Sequence, residues 1–192
     1  MPAPLILAVD AATQTGLCSG RPGETPRFET VNFGDSGDND LQVGAAALRW
    51  IAHRLTDARP DQLWMEEPLS FEAAQGRSNK SSLVRLNGLY MVIGAAARLK
   101  GVPVHPVMVS SARKPFLGHG RLKRYEAKKR ARAMCRLLGW NPVNDDEADA
   151  GCIWWFACIA NAPNLTPMIS KMMHKQLVEI VPLRHPMPRA VA

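Results

Sequence analysis

Four acidic side chains stand where an apolar segment begins or ends: Asp10 closes "LILAVD", Glu66 closes "QLWME", and Asp146 and Asp149 open "DDEADAGCIWWFA". A carboxylate at the edge of a buried element needs a partner, because taking an unpaired charge out of water is costly. Spacing by three puts Asp146 and Asp149 on one face of a helix. If the segments ending at Asp10 and Glu66 are neighbouring strands, all four carboxylates can meet. Crowded together they repel one another unless a cation neutralises them. Oxygen ligands without accompanying histidines select a hard ion, Mg2+ or Mn2+. Such a cluster suits two-metal phosphodiester hydrolysis, in which ions roughly 3.5–4 Å apart activate a water and stabilise the leaving oxygen. Singly, each acid has a plainer account. Asp10 could cap a turn, Glu66 could pair with an arginine, and the acids from Asp145 to Asp149 could complement a helix N-terminus. Capping gives no reason for Glu66 to follow a buried strand, which favours the cluster.

The substrate of such a site is suggested by charge. The chain carries 24 Lys and Arg against 17 Asp and Glu, a formal charge of +7. Most of it lies in residues 113–136, where ten basic residues (Arg113, Lys114, Arg121, Lys123, Arg124, Lys128, Lys129, Arg130, Arg132, Arg136) face a single acid, Glu126. A solvated, salt-bridged helix face would need acids three or four residues away, and only Glu126 is available. A polyphosphate neutralises the stripe and releases counterions, so nucleic acid is the expected partner.

Positioning these groups takes strands and helices in a definite order. Residues 5–9 are a short apolar run bounded by Pro4 and Asp10 and read as a strand, with a turn at 13–16. Further strands are expected at 17–20 and 27–33, and then a Gly/Asp/Asn-rich loop at 34–40 in which Asp40 is placed to cap a helix. Residues 41–55 repeat apolar side chains at helical spacing. The segment 62–66, between Pro60 and Pro68, reads as a strand, and 71–80 as a loop. A helix is expected over 81–100, with Gly88 and Gly94 inside it. Each glycine costs about 1 kcal/mol relative to Ala, which a close helix partner could offset. A strand at 102–109, interrupted by Pro103 and Pro106, belongs near a sheet edge. The basic helix spans 123–138 and ends at Gly139, and a last helix spans 145–160 with Trp154 and Trp155 in its core face. The alternation predicts an α/β domain on a mixed sheet whose first strands are antiparallel.

Composition bounds the remainder. The 192 residues, 46% hydrophobic and 21% charged, suffice for one domain, read as 1–160, with a Pro-rich basic tail at 161–192 holding one short helical stretch around 169–180. No apolar run approaches the roughly 18 residues of a membrane span. The apolar stretch at 4–9 lacks a basic flank, so no secretory signal is expected and the chain is placed in the cytoplasm. Cys18, Cys135, Cys152 and Cys158 show neither a disulfide framework nor zinc spacing, and read as buried thiols.

In order and spacing, "LAVDAATQTG", "LWMEEP" and "DDEADAGCIWWFA" resemble the RuvC family of Holliday junction resolvases over residues 5–160. Between them, "LVRLNGLYMVIGAAARLKGVPVHPV" is similar to the family's dimer-forming helix and following strand, and "ARKPFLGHGRLKR" to its basic loop. The resemblance implies an RNase H-like fold, with a mixed five-stranded sheet and helices on both faces. It also implies a homodimer joined through the helix beginning near Ser81, and Mg2+-dependent paired nicking of four-way DNA junctions. Asp10, Glu66, Asp146 and Asp149 match the family's acids. Glu67 and Asp145 are adjacent rivals, ranked second by the family's pattern. Arg113, with Arg124 or Lys123, falls where the family carries basic residues near the scissile phosphate. Lys114, Arg121 and Lys128 extend that surface. Phe71, in a loop with Arg77 and Lys80, could stack on a base at the junction centre or simply anchor the loop. The chain departs from the family in having Ala11-Ala12 after the first aspartate, where many members have Pro-Gly, and Arg113 in place of the more usual lysine.

Two further functions compete. A RuvC-like protein could grip branched DNA without cutting it, as the lost Pro-Gly would permit, although all four acids are retained. "DAATQTG" could be the phosphate-binding turn of an actin-like sugar kinase, but such enzymes close a duplicated domain over ATP and this chain holds one.

Overall fold

The computed structural model describes residues 2–70, 72, 79–163 and 179. β1 (Ile6–Asp10) is apolar without alternation, the pattern of a strand covered on both faces, and it lies at the centre of a five-stranded sheet. β2 (Gln14–Gly20) and β3 (Arg27–Asn32) add on one side as antiparallel neighbours. On the other side β4 (Gln62–Glu66) and β5 (Val104–Val107) add in parallel, giving the order β3-β2-β1-β4-β5.

Two layers of helix sandwich this sheet. Leu7, Val9, Leu17, Leu63 and Met65 face α1 (Asp40–Asp57) and α2 (Lys80–Leu99), where Val43, Ile51, Leu89 and Ile93 complete one core. Ile6, Ala8, Cys18 and Trp64 point the other way, into a core shared with α3 (Val109–Leu117), α4 (Arg124–Leu137) and α5 (Asp145–Asn161). Large apolar side chains contribute about 1.5–3 kcal/mol each when fully buried. On α5, Trp154 and Trp155 are buried among Phe116 and Trp140, and the Trp154 indole also donates to the Gly20 carbonyl at 3.3 Å. The expected α/β class, with helices on both faces of a mixed five-stranded sheet, is the observed one. All four cysteines are buried free thiols. Among the described residues no helix is long and apolar enough to cross a membrane.

Several elements differ from the sequence expectation. The turn after β1 closes earlier than 13–16, because the Thr15 hydroxyl donates to the Ala12 carbonyl at 2.6 Å and accepts from the Ala12 amide at 3.2 Å. Residues 14–16 are therefore strand, pairing with β3 as far as Asn32. Asn39, not Asp40, caps α1: its side chain accepts from the Leu41 and Gln42 amides, and the Gln42 side-chain oxygen accepts in turn from the Asn39 amide. Asp40 instead pairs with Arg85 at 2.7 Å. The strand expected over 102–109 ends at Val107, and a helix follows at once. α3 contains Pro115, which disguised it, yet it buries Ala112, Phe116 and Leu117. Gly118 ends that helix with φ +77°, a left-handed conformation that favours glycine. The expected tail boundary, and the short helix around 169–180, lie outside the described residues except for Glu179.

Candidate active site

The parallel register Val9↔Met65 carries β1 and β4 to the same level, so their last residues, Asp10 and Glu66, stand side by side. Alternation decides which way they point. Ile6 and Ala8 share a face with Trp64, the face that α5 covers, and Asp10 and Glu66 continue that parity. Glu67, one residue on, is exposed and has the opposite parity, and its amide donates to the Val107 carbonyl at 2.9 Å.

α5 supplies the other acids, and its first turn is fixed from three sides. Asn144 caps it, its side-chain oxygen accepting from the Glu147 amide at 2.9 Å. Glu147 is buried and accepts from the Thr30 hydroxyl at 2.6 Å and the Val143 amide at 2.7 Å, which ties the helix to β3. Gly16, paired with Asp10 across β1 and β2, lets the helix backbone rest on the sheet. A β-carbon there would stand 2.1 Å from the Asp146 carbonyl oxygen and 2.6 Å from the Glu147 nitrogen. The start of α5 is thereby laid beside Asp10, and Asp146 and Asp149 follow on one face.

Asp10, Glu66 and Asp149 are each shifted by burial and by neighbouring acids. Burial pushes Asp10 well above the usual carboxylate range, and Glu66, Asp149 and Asp146 add to the rise while Lys128 opposes it. Glu66 is pushed up to about 7, chiefly by burial, with Arg113 pulling it down and Asp149 pushing it up. Burial also raises Asp149, against Arg113 and Lys128. Two basic side chains reach into this group. Arg113 lies 3.3 Å from Asp149 Oδ1, and the Lys128 ammonium lies 3.2 Å from Asp146 and 3.9 Å from Asp145. Gln14 donates to Asp146 at 3.2 Å, and Arg132 stands 3.7 Å from Asp145.

Among the described residues no three His, Cys, Asp or Glu side chains stand in a ready-made cation cage. Asp10, Glu66, Asp146 and Asp149 lie at one end of the sheet, where the other three raise Asp10 and where Arg113 pairs with Asp149 and Lys128 with Asp146. The donor set itself fits a hard divalent ion: it is all carboxylate, it is partly withdrawn from water, and the repulsion on Asp10 is only partly relieved by Lys128.

The basic stripe is not one uniform surface. Arg130 is buried within α4, while Arg113, Lys128 and Arg132 turn to the acids. Lys114, Arg121, Lys123 and Arg124 are exposed, as is Lys80 at the start of α2. Arg124 joins Ala12, Thr13, Ser81, Ser82 and Arg85 around a cleft of about 560 Å³ beside the turn that follows Asp10. Phe71 and Arg77 lie outside the described residues. Sequence reasoning missed Gly16, Thr15, Asn144 and Glu147 as positioning groups. The one local signal was the Thr-Gly pair just after the first acid, and their partners are distant in the chain.

No protein-family model matches this chain, and no curated protein matches it by sequence. Solved structures do match. The structure of Thermus thermophilus RuvC superposes with a TM-score of 0.62 at 20% identity, covering 81% of this chain and 95% of that one. T. thermophilus RuvC in complex with Holliday junction substrate matches with a TM-score of 0.62 at 20% identity, covering 84% of this chain and 96% of that one. The chain has the RuvC fold over most of its length.

Proposed function

We propose that this protein is a metal-dependent endodeoxyribonuclease that resolves four-way DNA junctions by paired nicks, acting in recombination and repair. One observation carries the proposal: Asp10, Glu66, Asp146 and Asp149 gather, half-buried to buried, at the carboxyl ends of β1 and β4, the other three raising Asp10, with exposed basic residues around them. The likeness to T. thermophilus RuvC, including its complex with Holliday junction substrate, supports the choice of branched DNA.

Asp10, Glu66, Asp146 and Asp149 would hold Mg2+, or Mn2+ in its place, as two ions per site. Bound there, the ions supply an activated water and a stabilised leaving oxygen. The chain's own residues do the rest. Arg113 and Lys128 exchange their carboxylates for phosphate oxygens of the strand to be cut, which gives the acids up to the metal and holds the scissile group. Arg113, as a planar two-pronged donor, fixes its phosphate in orientation, whereas Lys128 acts as a point charge. Lys80, Lys114, Arg121, Lys123 and Arg124 neutralise the flanking backbone. A junction offers two symmetric strands, so a two-fold dimer matches it. The helix beginning near Ser81 is the proposed contact. Val84 and Met91 of α2 are exposed there, beside Leu41 and Leu48 of α1, and nothing within the described residues packs on Gly88.

The test is cleavage of labelled four-way junction and matching linear duplex, each with Mg2+ and with chelator, resolved on a denaturing gel. Paired Mg2+-dependent nicks confined to the junction are expected. Junction binding without nicks transfers the reading to a non-cleaving branched-DNA binder, and equal cutting of both substrates removes the junction specificity. Sedimentation of a monomer with junction bound contradicts the dimer.

A further inference from the structure

Tyr125 is the only exposed Phe, Tyr or Trp side chain among the described residues, at 67% of its possible area; every other described one is buried or half-buried. Its place is not arbitrary. Tyr125, Lys128 and Arg132 are spaced by three and four and so share a face of α4. On that face Lys128 reaches Asp146 at 3.2 Å and Arg132 reaches Asp145 at 3.7 Å. Tyr125 is thus one helical turn from the ammonium that touches the acid cluster. Its neighbour Arg124 lines the cleft beside the turn after Asp10, and Lys123 and Arg121 are exposed just before it.

An exposed phenol ring with exposed basic residues just before it in the chain matches one ligand chemistry above others: a nucleobase whose π-face is free, on a strand whose phosphates the cations hold. Inside continuous duplex both faces of each base are covered by its neighbours. Where strands exchange partners, stacking is broken and a face is open. Resting on the nuclease reading above, we propose that Tyr125 stacks on an unstacked base next to the strand entering the carboxylate site, and that this contact distinguishes branched from linear DNA. The phosphate contacts of Arg124 and Lys123 are made equally well by any DNA, and so supply affinity without that distinction.

The experiment compares wild type, Tyr125→Ala and Tyr125→Phe by fluorescence anisotropy with a four-way junction and a linear duplex in chelator, across a salt series. A second readout is 2-aminopurine placed at the branch. Stacking on one base is typically worth about 1–3 kcal/mol, so Tyr125→Ala is expected to lose junction affinity by about 5- to 150-fold. Duplex affinity and the salt slope stay unchanged, and Tyr125→Phe binds as wild type does. The 2-aminopurine emission is quenched by wild type and by Tyr125→Phe but not by Tyr125→Ala. Unchanged junction binding by Tyr125→Ala overturns the inference. So does an equal loss on junction and duplex, or a wild type that does not prefer the junction. If wild type cuts junctions in Mg2+ while Tyr125→Ala binds them normally, only the inference falls. If Tyr125 governs junction preference and nothing is cut, the inference stands and the nuclease reading falls.

Discussion

The two ends of the central sheet treat charge in opposite ways. At the amino end of β1, ions are matched one to one and stand near water: Arg54 grips Glu29 with two contacts of 3.0 and 3.2 Å, and Arg21 lies 3.5 Å from Asp61. At the carboxyl end, Asp10, Glu66, Asp145, Asp146 and Asp149 gather around Arg113, Lys128 and Arg132, so the acids outnumber the bases. The first arrangement is self-sufficient and worth little, since exposed pairs contribute about 0–1 kcal/mol. The second is costly as it stands and becomes favourable only when more positive charge arrives. An excess of half-buried carboxylate is a property a fold does not need, and it is the feature on which the proposed site for a cation and a phosphodiester rests.

The largest contrast between the ends comes from Asp10→Asn. Junction cutting is expected to fall by more than about 100-fold, beyond the usual cost of losing an outer-shell partner, while binding of uncut junction persists. In chelator the same change should raise the melting temperature, because it removes a buried, repelled charge. Melting and gel assays together check both halves.

Gly16→Ala attacks the placement of the site and leaves its chemistry alone. The new methyl would meet the Asp146 carbonyl, so α5 must shift away from β2. Overpacking of this kind costs about 1–3 kcal/mol, and a misplacement near 1 Å costs on the order of 100-fold in rate. A variant that melts as wild type and cuts at full rate would show that the close approach does not set the geometry.

The next effect is one of pH. The Glu66 carboxyl sits at about 7 in the fold against an ordinary 4.5. A raised carboxyl binds its proton more tightly folded than unfolded, so its contribution to stability falls as pH rises from about 4.5 to about 7. Glu66→Gln lacks that titration. In chelator its stability relative to wild type should therefore grow across this window, by up to about 3 kcal/mol. In wild type the stabilisation by Mg2+ should grow with pH over the same range. Denaturant unfolding at several pH values measures both.

The smallest effect belongs to the amino end. Arg54→Ala should cost about 0–1 kcal/mol and leave cutting and metal binding unchanged. A loss of activity there would erase the contrast between the two ends.

Much of this architecture is legible in the chain, for reasons that particular residues show. β1 and β4 are short apolar runs stopped by Asp10 and Glu66, and a strand's two-residue period tells which face the final residue takes. The apolar continuity after Asp149 announces α5. What stayed hidden is long-range or disguised. Nothing near Gly16 in sequence reveals that residues 146 and 147 will lie against it. Pro115 argues locally against a helix that burial of Phe116 and Leu117 nevertheless forms. Arg130, one of the ten residues of the basic stripe, is buried within α4. The meeting of Lys128 with Asp146 required the packing of α4 on α5, which no spacing within either helix discloses.

The central claim is that the carboxyl end of the sheet is short of positive charge and takes it from divalent metal. Calorimetric titration with Mn2+ at slightly alkaline pH, on wild type, Asp10→Asn and Arg54→Ala, tests it most directly. Wild type and Arg54→Ala should bind alike, and Asp10→Asn should bind at least about tenfold more weakly. Equal Mn2+ binding by Asp10→Asn and wild type would contradict the account.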